Sequence, residues 1–334
     1  MIKTSLSVGL AVLALAAPAQ AALVGTPLVQ LPQPTDVAAL DGMLAYTEPD
    51  PAGGQRIMLR DGQGTRPLGV ISQVRPFTLG MGRATGGTAP ALVYPRCTPT
   101  SAICRLAVTP VATGAERIVP GTLGAVRGAV AGTRVLAVVE RSDGVQRLLS
   151  IQAGRTQTLR IPRRPDDWAS TPNRRVFVPR RNLKITDIDA QGDTVLYVLT
   201  YQIPNEPIAQ SELWLQRGSR PPARVARVGT GGGSSGLRSF LGVRLLPDGI
   251  VAYRQGRDQG SALVRLSLRG AGRGEAGLGQ TDDEDIVAGA FDRGGFLYVA
   301  RPYANLDDCR SGSPDEPGPG TCTLYDSGPM VFKR

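Results

Sequence analysis

Residues 247–253 read Pro247-Asp248-Gly249-Ile250-Val251-Ala252-Tyr253 and predict a turn followed by a strand. Asp-Gly is a preferred pair for a tight turn, and the aliphatic and aromatic residues that follow it are typical of a strand. The same order recurs near the start of the chain as Asp41-Gly42-Met43-Leu44-Ala45-Tyr46. Near the end, Gly294-Gly295 precedes Phe296-Leu297-Tyr298-Val299. A turn followed by an apolar strand is therefore an internal repeat.

Six copies of this unit can be traced along the chain. Each contains four short strand-like segments, with a turn after the first and a polar hairpin loop after the second. One residue of the second strand marks each copy, and the markers are Tyr46, Tyr94, Val138, Tyr197, Tyr253 and Tyr298. Four strands in every ~40–50 residues is the pattern of a β-propeller blade, and no window carries a sustained helical stripe. We predict an all-β, six-bladed β-propeller with four-stranded antiparallel blades.

The predicted propeller fills residues 22–334 as a single domain. Its blades are expected at about 36–70, 77–120, 124–162, 183–229, 238–280 and 284–334, with a basic insertion at 163–182. A ring of blades must be closed, and the sequence leaves two candidates for the outer strand of the last blade. These are Thr26–Leu31, before the first copy, and Met330–Phe332, after the last.

The repeat units around Tyr46 and Tyr253 resemble the blade repeats of TolB-like six-bladed propellers, in which a Pro-Asp-Gly turn leads into an aliphatic-Ala-Tyr strand. This resemblance extends weakly over nearly all of the chain after residue 21 and implies blade architecture alone. Copies two and three lack the Asp-Gly turn. No catalytic motif of a propeller enzyme accompanies the repeat.

The N-terminal 21 residues have the pattern of a secretory signal peptide. Lys3 supplies the positive charge, Leu6–Ala17 is the apolar run, and Ala19-Gln20-Ala21 is the cleavage site. The apolar run is too short to cross about 30 Å of hydrocarbon. We therefore expect a mature chain that begins at Ala22, has no membrane span, and is secreted or held in the cell envelope as a monomer.

Four cysteines in an exported chain indicate two disulfides, because that compartment is oxidising. Three pairings are open, and the spacing favours Cys97 with Cys104 and Cys309 with Cys322, each pair bracketing a polar, turn-rich segment between two strands.

The absence of histidine excludes His-ligated zinc and any nucleophile that depends on a histidine base. The Gly232–Gly236 stretch, which matches the G-x-S-x-G nucleophile pattern, is therefore interpreted as a linker.

The net charge of +10 is carried almost entirely by arginine, since Lys3, Lys184 and Lys333 are the only lysines among 38 basic residues. Codon bias in a GC-rich genome accounts for part of that excess. Nucleic-acid binding is not expected, because no stacking aromatics are interleaved with the arginines. The insertion holds the densest basic cluster and two aromatic residues. Its candidate ligand-binding residues are Arg163, Arg164, Trp168, Arg174, Arg175, Arg180 and Arg181.

Two groups of carboxylates remain. The run Asp282, Asp283, Glu284 and Asp285 precedes the sixth blade and is a weak candidate for Ca²⁺, although it lacks a recognisable spacing and is also explained as a solvated face. Asp187 and Asp189 form one pair that could serve acid–base chemistry.

We expect no cofactor and predict a non-catalytic binding module for a protein or an anionic glycan. The alternative is a carboxylate- or divalent-ion-dependent hydrolase or lyase.

Overall fold

The computed structural model describes 25–31, 35–70, 72–73, 78–84, 89–98, 103–162, 168–171, 174–177, 181–202, 209–228, 239–246, 249–255, 261–267, 275–281, 284–292, 295–302 and 322–329. These residues form strands, turns and bends and contain no helix. The predicted all-β class is therefore confirmed. Within the same ranges, no helix is long and apolar enough to cross a membrane.

The described strands form six four-stranded antiparallel sheets, which we call blades one to six in chain order. Blade one is β2 (Val37–Leu40), β3 (Met43–Pro49), β4 (Gln55–Asp61) and β5 (Gly64–Pro67). Blade two is β6 (Gly80–Arg83), β7 (Pro90–Cys97), β8 (Cys104–Pro110) and β9 (Arg117–Ile118). Blade three is β10 (Ala125–Ala131), β11 (Arg134–Glu140), β12 (Gln146–Gln152) and β13 (Arg155–Leu159).

The chain then forms a two-stranded hairpin, β14 (Trp168–Thr171) and β15 (Arg174–Phe177), which lies within the predicted insertion. Blade four is β16 (Arg181–Gln191), β17 (Thr194–Gln202), β18 (Ala209–Arg217) and β19 (Ala223–Val228). Blade five is β20 (Ser239–Leu246), β21 (Gly249–Gln255), β22 (Ser261–Ser267) and β23 (Glu275–Thr281). Blade six is β24 (Glu284–Asp292), β25 (Gly295–Pro302), β26 (Cys322–Pro329) and β1 (Thr26–Leu31).

The first strand of each blade lies innermost and contacts the first strands of both neighbouring blades, so that β2, β6, β10, β16, β20 and β24 close a ring. Apolar side chains alternate along the strands and fill the gaps between blades. The buried tyrosines Tyr46, Tyr94 and Tyr197 occupy equivalent positions in three of these gaps. Where the side chains are described, the blades therefore bury their faces against their neighbours, and the predicted propeller with four-stranded blades is confirmed.

Strand β1 closes the ring by pairing antiparallel with β26 as the outer strand of blade six. Its last residue, Leu31, is 2% exposed and packs with Leu324 of β26 and Val37 of blade one. Of the two candidates that the sequence left open, the structure places Thr26–Leu31 in this position. Residues 330–332 lie outside the described ranges. The two ends of the chain are thus joined in one sheet.

Two local predictions are also answered by the described residues. Asp41 and Gly42 connect β2 to β3 with φ values of 56° and 80°, and the Asp-Gly pair suits a two-residue turn with positive φ at both positions. Cys97 and Cys104 face each other at the end of the β7–β8 ladder and form the predicted disulfide. Cys309 lies outside the described residues, so its pairing with Cys322 stays a prediction.

Candidate functional site

The six inner strands surround a central channel with a cavity of about 110 Å³. The channel is narrow because small residues let the strands approach closely. A Cβ atom on Gly80 would lie 2.5 Å from the carbonyl oxygen of Gly128, and one on Gly242 would lie 2.5 Å from that of Gly289. Alanine at either position would force neighbouring inner strands apart. The channel therefore has room for little more than the polar side chains that enter it.

Arg127 joins three blades inside this channel. It projects from β10 of blade three, and its Nη1 lies 2.9 Å from Oδ1 of Asp187 on β16 of blade four. The same nitrogen lies 3.6 Å from Oδ2 of Asp36, which directly precedes β2 of blade one. One guanidinium thus holds two carboxylates that come from blades on either side of the ring.

Arg244 has a comparable role from the other side of the channel. It lies on β20 of blade five and donates from Nη1 to the carbonyl oxygen of Met81 in blade two, at 3.0 Å. The same atom lies 3.4 Å from Oδ1 of Asp189 in blade four. Arg127 and Arg244 together therefore connect five of the blades through side chains that cross the channel.

The channel carboxylates also accept hydrogen bonds from the backbone of the following blade. Oδ2 of Asp36 accepts from the Leu79 amide at 3.0 Å. The two aspartates of β16 act on blade five, where Oδ2 of Asp187 accepts from the Val243 amide at 2.7 Å. Oδ2 of Asp189 accepts from the amide of Leu245 at 2.6 Å. Each aspartate thereby fixes the position of a neighbouring blade.

Burial raises the pKa of Asp36 above its ordinary value, and the Arg127 guanidinium only partly offsets that effect. Burial likewise raises the pKa of Asp189, against the opposing influence of Arg244. A raised carboxyl pKa can serve a general acid. The oxygens of these carboxyls, however, already receive hydrogen bonds from backbone amides and arginine. The arrangement is suited to clamping blades together, and it leaves few acceptor positions for a substrate.

A second group of features lies on one end of the blades, which we call the loop face. Because strands alternate in direction, the connection from second to third strand and the connection to the next blade leave a blade at the same end. Hydrogen bonds link these connections across blades two and three. The Gly124 amide donates to the Cys104 carbonyl at 2.8 Å, and the Glu140 amide donates to the Gly124 carbonyl at 2.8 Å.

The loop face carries an apolar groove between blades two and three with a volume of about 710 Å³. Its lining includes Pro95, the Cys97–Cys104 pair, Ala125, Val126 and Val139. Ile103 and Leu123 stand at its edge, and they are 54% and 60% exposed. In the described part of the chain, only one other large apolar side chain, Ile118, is comparably exposed. This groove was not predicted from the sequence.

A smaller space of about 380 Å³ lies between blades three and four on the same face. Polar contacts bridge it. The Lys184 ammonium donates to Oε2 of Glu140 at 2.7 Å and to the carbonyl of Gly144 at 3.1 Å. The Ile185 amide donates to Oε1 of Gln146 at 2.6 Å. The hydrogen bond from Lys184 lowers the pKa of Glu140, so this carboxylate stays charged and paired.

The predicted basic residues are only partly within the described ranges. Trp168, Arg174 and Arg175 lie on the β14–β15 hairpin, which connects the outer strand of blade three to blade four and therefore leaves from the loop face. Arg181 begins β16. Residues 163, 164 and 180 lie outside the described ranges, so ligand binding by this cluster stays a prediction.

The predicted acidic cluster is divided in the same way. Glu284 and Asp285 are the first residues of β24, whereas residues 282 and 283 lie outside the described ranges. Elsewhere in those ranges, no three histidine, cysteine, aspartate or glutamate residues come together as a metal site would require. The Ca²⁺ hypothesis for residues 282–285 is therefore untested.

The sequence matches no protein-family profile and no curated protein. Solved propeller structures are nevertheless similar to it. A triple arginine-to-alanine mutant of AofleA from Arthrobotrys oligospora matches with a TM-score of 0.50 at 8% identity over 82% of this chain and 81% of that chain. TolB from Acinetobacter baumannii matches with a TM-score of 0.45 at 12% identity over 86% and 64%, respectively. A prolyl endopeptidase matches with 0.44 at 12% identity over 79% of this chain.

At such low identity, these similarities show the fold alone. The predicted resemblance to TolB-like propellers is confirmed in that sense. The chain spans 38% of the length of the prolyl endopeptidase and 64% of the length of the TolB chain. A fold does not by itself assign an activity.

Proposed function

We propose that the protein is an exported, non-catalytic binding module whose loop face binds another protein. The observation that carries this proposal is the apolar groove beside Ile103 and Leu123. Exposed apolar side chains that border a groove are candidates for an interaction surface. A groove of about 710 Å³ falls within the range of about 300–1,000 Å³ that is typical of binding sites.

The rigid scaffold around the groove supports binding rather than turnover. The channel aspartates and arginines are engaged with one another and with backbone groups of adjacent blades, so their polar atoms serve the ring. Loops on a rigid frame are the usual location of binding residues. The Cys97–Cys104 disulfide is consistent with an oxidising compartment outside the cytoplasm.

Site-specific photo-cross-linking in the producing cells tests the proposal. A photoreactive residue at Ser142, in the exposed loop between β11 and β12, should yield a covalent adduct with a second polypeptide. The matched control is Gln152, which is also exposed and is the last residue of β12, at the opposite end of the same blade. Gln152 should give no adduct.

Two results would contradict the proposal. An adduct from Gln152 but not from Ser142 would place the interaction on the other end of the propeller. A polydisperse adduct that contains no second polypeptide would identify a glycan ligand instead. Neither substitution should disturb the fold, because the side chains at positions 142 and 152 are both exposed.

A further inference from the structure

The groove between blades two and three is held open by a rigid frame. The Cys97–Cys104 disulfide fixes one wall. The other wall is the loop 119–124, in which the Thr122 hydroxyl donates to the Val119 carbonyl at 2.7 Å and accepts from the Leu106 amide at 2.9 Å. Thr122 is fully buried, whereas the next residue, Leu123, is 60% exposed.

The exposure of Leu123 is therefore imposed by its neighbours. Buried Thr122 precedes it, and Gly124 follows it with its amide and carbonyl both bound to blades two and three. The side chain cannot turn inward without breaking these bonds. A surface that is preformed in this way loses little conformational entropy when a ligand fills it. The groove thus has the rigidity that is expected of a binding site for an apolar side chain.

Two exposed arginines lie on or beside the rim of the groove. Arg141 lines it, and the ion pair of Arg141 with Asp143, at 3.6 Å, is about half exposed on both sides and therefore weak. Exposed Arg147 lies opposite Val139 of the groove in the β11–β12 ladder, and the structure gives it no ion pair among the described residues. Glu140, the carboxylate among the lining residues, is paired with Lys184 at 2.7 Å. The chain as a whole carries +10.

We propose that the groove binds an extended segment of the partner protein in which a large apolar side chain stands next to carboxylates. The apolar side chain would fill the space between the disulfide and Leu123, and the carboxylates would pair with Arg141 and Arg147. This inference rests on the proposed function of the loop face and specifies the chemistry of its partner. The groove is concave, so a peptide segment fits it better than the flat surface of a lipid bilayer would.

A random peptide library displayed on phage and selected on the full chain tests the proposal. Enriched peptides should share a large apolar residue flanked by Asp or Glu. Binding of a synthetic enriched peptide should weaken about tenfold or more when Ile103→Ser and Leu123→Ser are combined, because the apolar anchor loses its contacts. Arg141→Gln should lower the affinity several-fold and reduce its dependence on salt, because charge pairs on a rim are screened.

Ile118→Ser is the matched control, because Ile118 is 39% exposed on β9 and does not line the groove. It should leave peptide affinity unchanged. All variants should keep the melting temperature of the parent, since the substituted side chains are exposed. Thermal unfolding checks this and separates loss of binding from loss of fold.

Three outcomes would overturn the proposal. The library could enrich no common sequence, or the enriched peptides could bind the Ile103→Ser/Leu123→Ser variant as tightly as the parent. Alternatively, the chain could sediment with phosphatidylglycerol vesicles in a manner that requires Leu123, which would assign the surface to membrane contact. If Ser142 still cross-links to a protein in any of these cases, the proposed function stands and only the chemistry assigned to the groove is wrong.

Discussion

Replacing Arg127 with methionine tests the channel network most directly. Methionine retains much of the apolar stem of arginine but removes the guanidinium that holds Asp36 and Asp187. The two carboxylates then face each other without the cation between them. Because Asp187 already raises the pKa of Asp36, the variant should concentrate uncompensated negative charge in the channel.

The expected loss of stability follows from the burial of the pair. Removing one partner of a fully buried ion pair costs about 3–5 kcal/mol. The side chains of Arg127 and Asp187 are 21% and 15% exposed, so water screens part of the interaction. We expect Arg127→Met to lower the free energy of unfolding by about 2 kcal/mol, which corresponds to a fall in Tm of about 3 °C for a chain of this size.

A double-mutant cycle with Asp187→Asn isolates the interaction. Urea denaturation followed by far-UV circular dichroism should give a coupling energy of about 1 kcal/mol or more between Arg127 and Asp187, because the two groups are in contact. Arg155→Met is the control, since Arg155 is exposed on the outer strand β13 and should change stability by less than about 0.5 kcal/mol. Additive single effects, or an unchanged Tm for Arg127→Met, would refute the assignment of this network as a clamp between blades.

Three further predictions concern other parts of the ring. The variant Cys97→Ser/Cys104→Ser should lose about 2–3 kcal/mol of stability in urea, because the disulfide closes a short loop in the unfolded chain; an unchanged urea midpoint would contradict this. Leu31→Ala should cost about 2–4 kcal/mol through a cavity at the junction of blades six and one, and a loss below about 1 kcal/mol would show that β1 is not an essential closure. Burial raises the pKa of Asp189, so the folded state holds its proton more tightly than the unfolded state. The Tm of the parent relative to Asp189→Asn should therefore fall as pH rises from about 4 through the raised pKa, and a constant difference would contradict the shift.

The blades could be predicted from the sequence because their information is local. The Asp41-Gly42 pair specifies its own turn, and the aliphatic-aromatic run after it specifies the strand. The spacing of Cys97 and Cys104 around a polar loop likewise predicts the hairpin that the disulfide closes. These features depend on residues only a few positions apart, so the order of residue types was sufficient to find them.

The closure of the ring and the channel network could not be predicted in the same way. Thr26–Leu31 and Met330–Phe332 are both short apolar segments, and only the pairing of β1 with β26 distinguishes them. The residues of the network are far apart in the sequence, and each looks like an ordinary strand or turn residue until the ring brings them together. The spacing of Asp187 and Asp189 indicates a carboxylate pair for acid–base chemistry, whereas nothing near them in the sequence indicates their partners Arg127 and Arg244.

The groove on the loop face was missed because exposure is a property of the folded chain. Ile103 and Leu123 are unremarkable in the sequence, since isolated apolar residues occur in many loops. Their significance arises from two neighbours that hold them outward, the disulfide at Cys104 and the buried hydroxyl of Thr122. The arginine cluster of the insertion, by contrast, is recognisable from composition, but composition does not show whether a surface is concave.

The two gaps on the loop face show why the binding site is expected between blades two and three. In the gap between blades three and four, Lys184 and Gln146 form hydrogen bonds across the opening, so a ligand would have to displace them. The groove lined by Cys104 and Val139 is about twice as large and has a more apolar lining, within which the Thr78 hydroxyl donates to the Val126 carbonyl at 2.8 Å. Glu140 lies between the two gaps, and its pairing with Lys184 both closes the first and removes a negative charge from the rim of the second. Lys184 therefore acts on both gaps, and binding of an acidic segment should weaken when this lysine no longer neutralises Glu140.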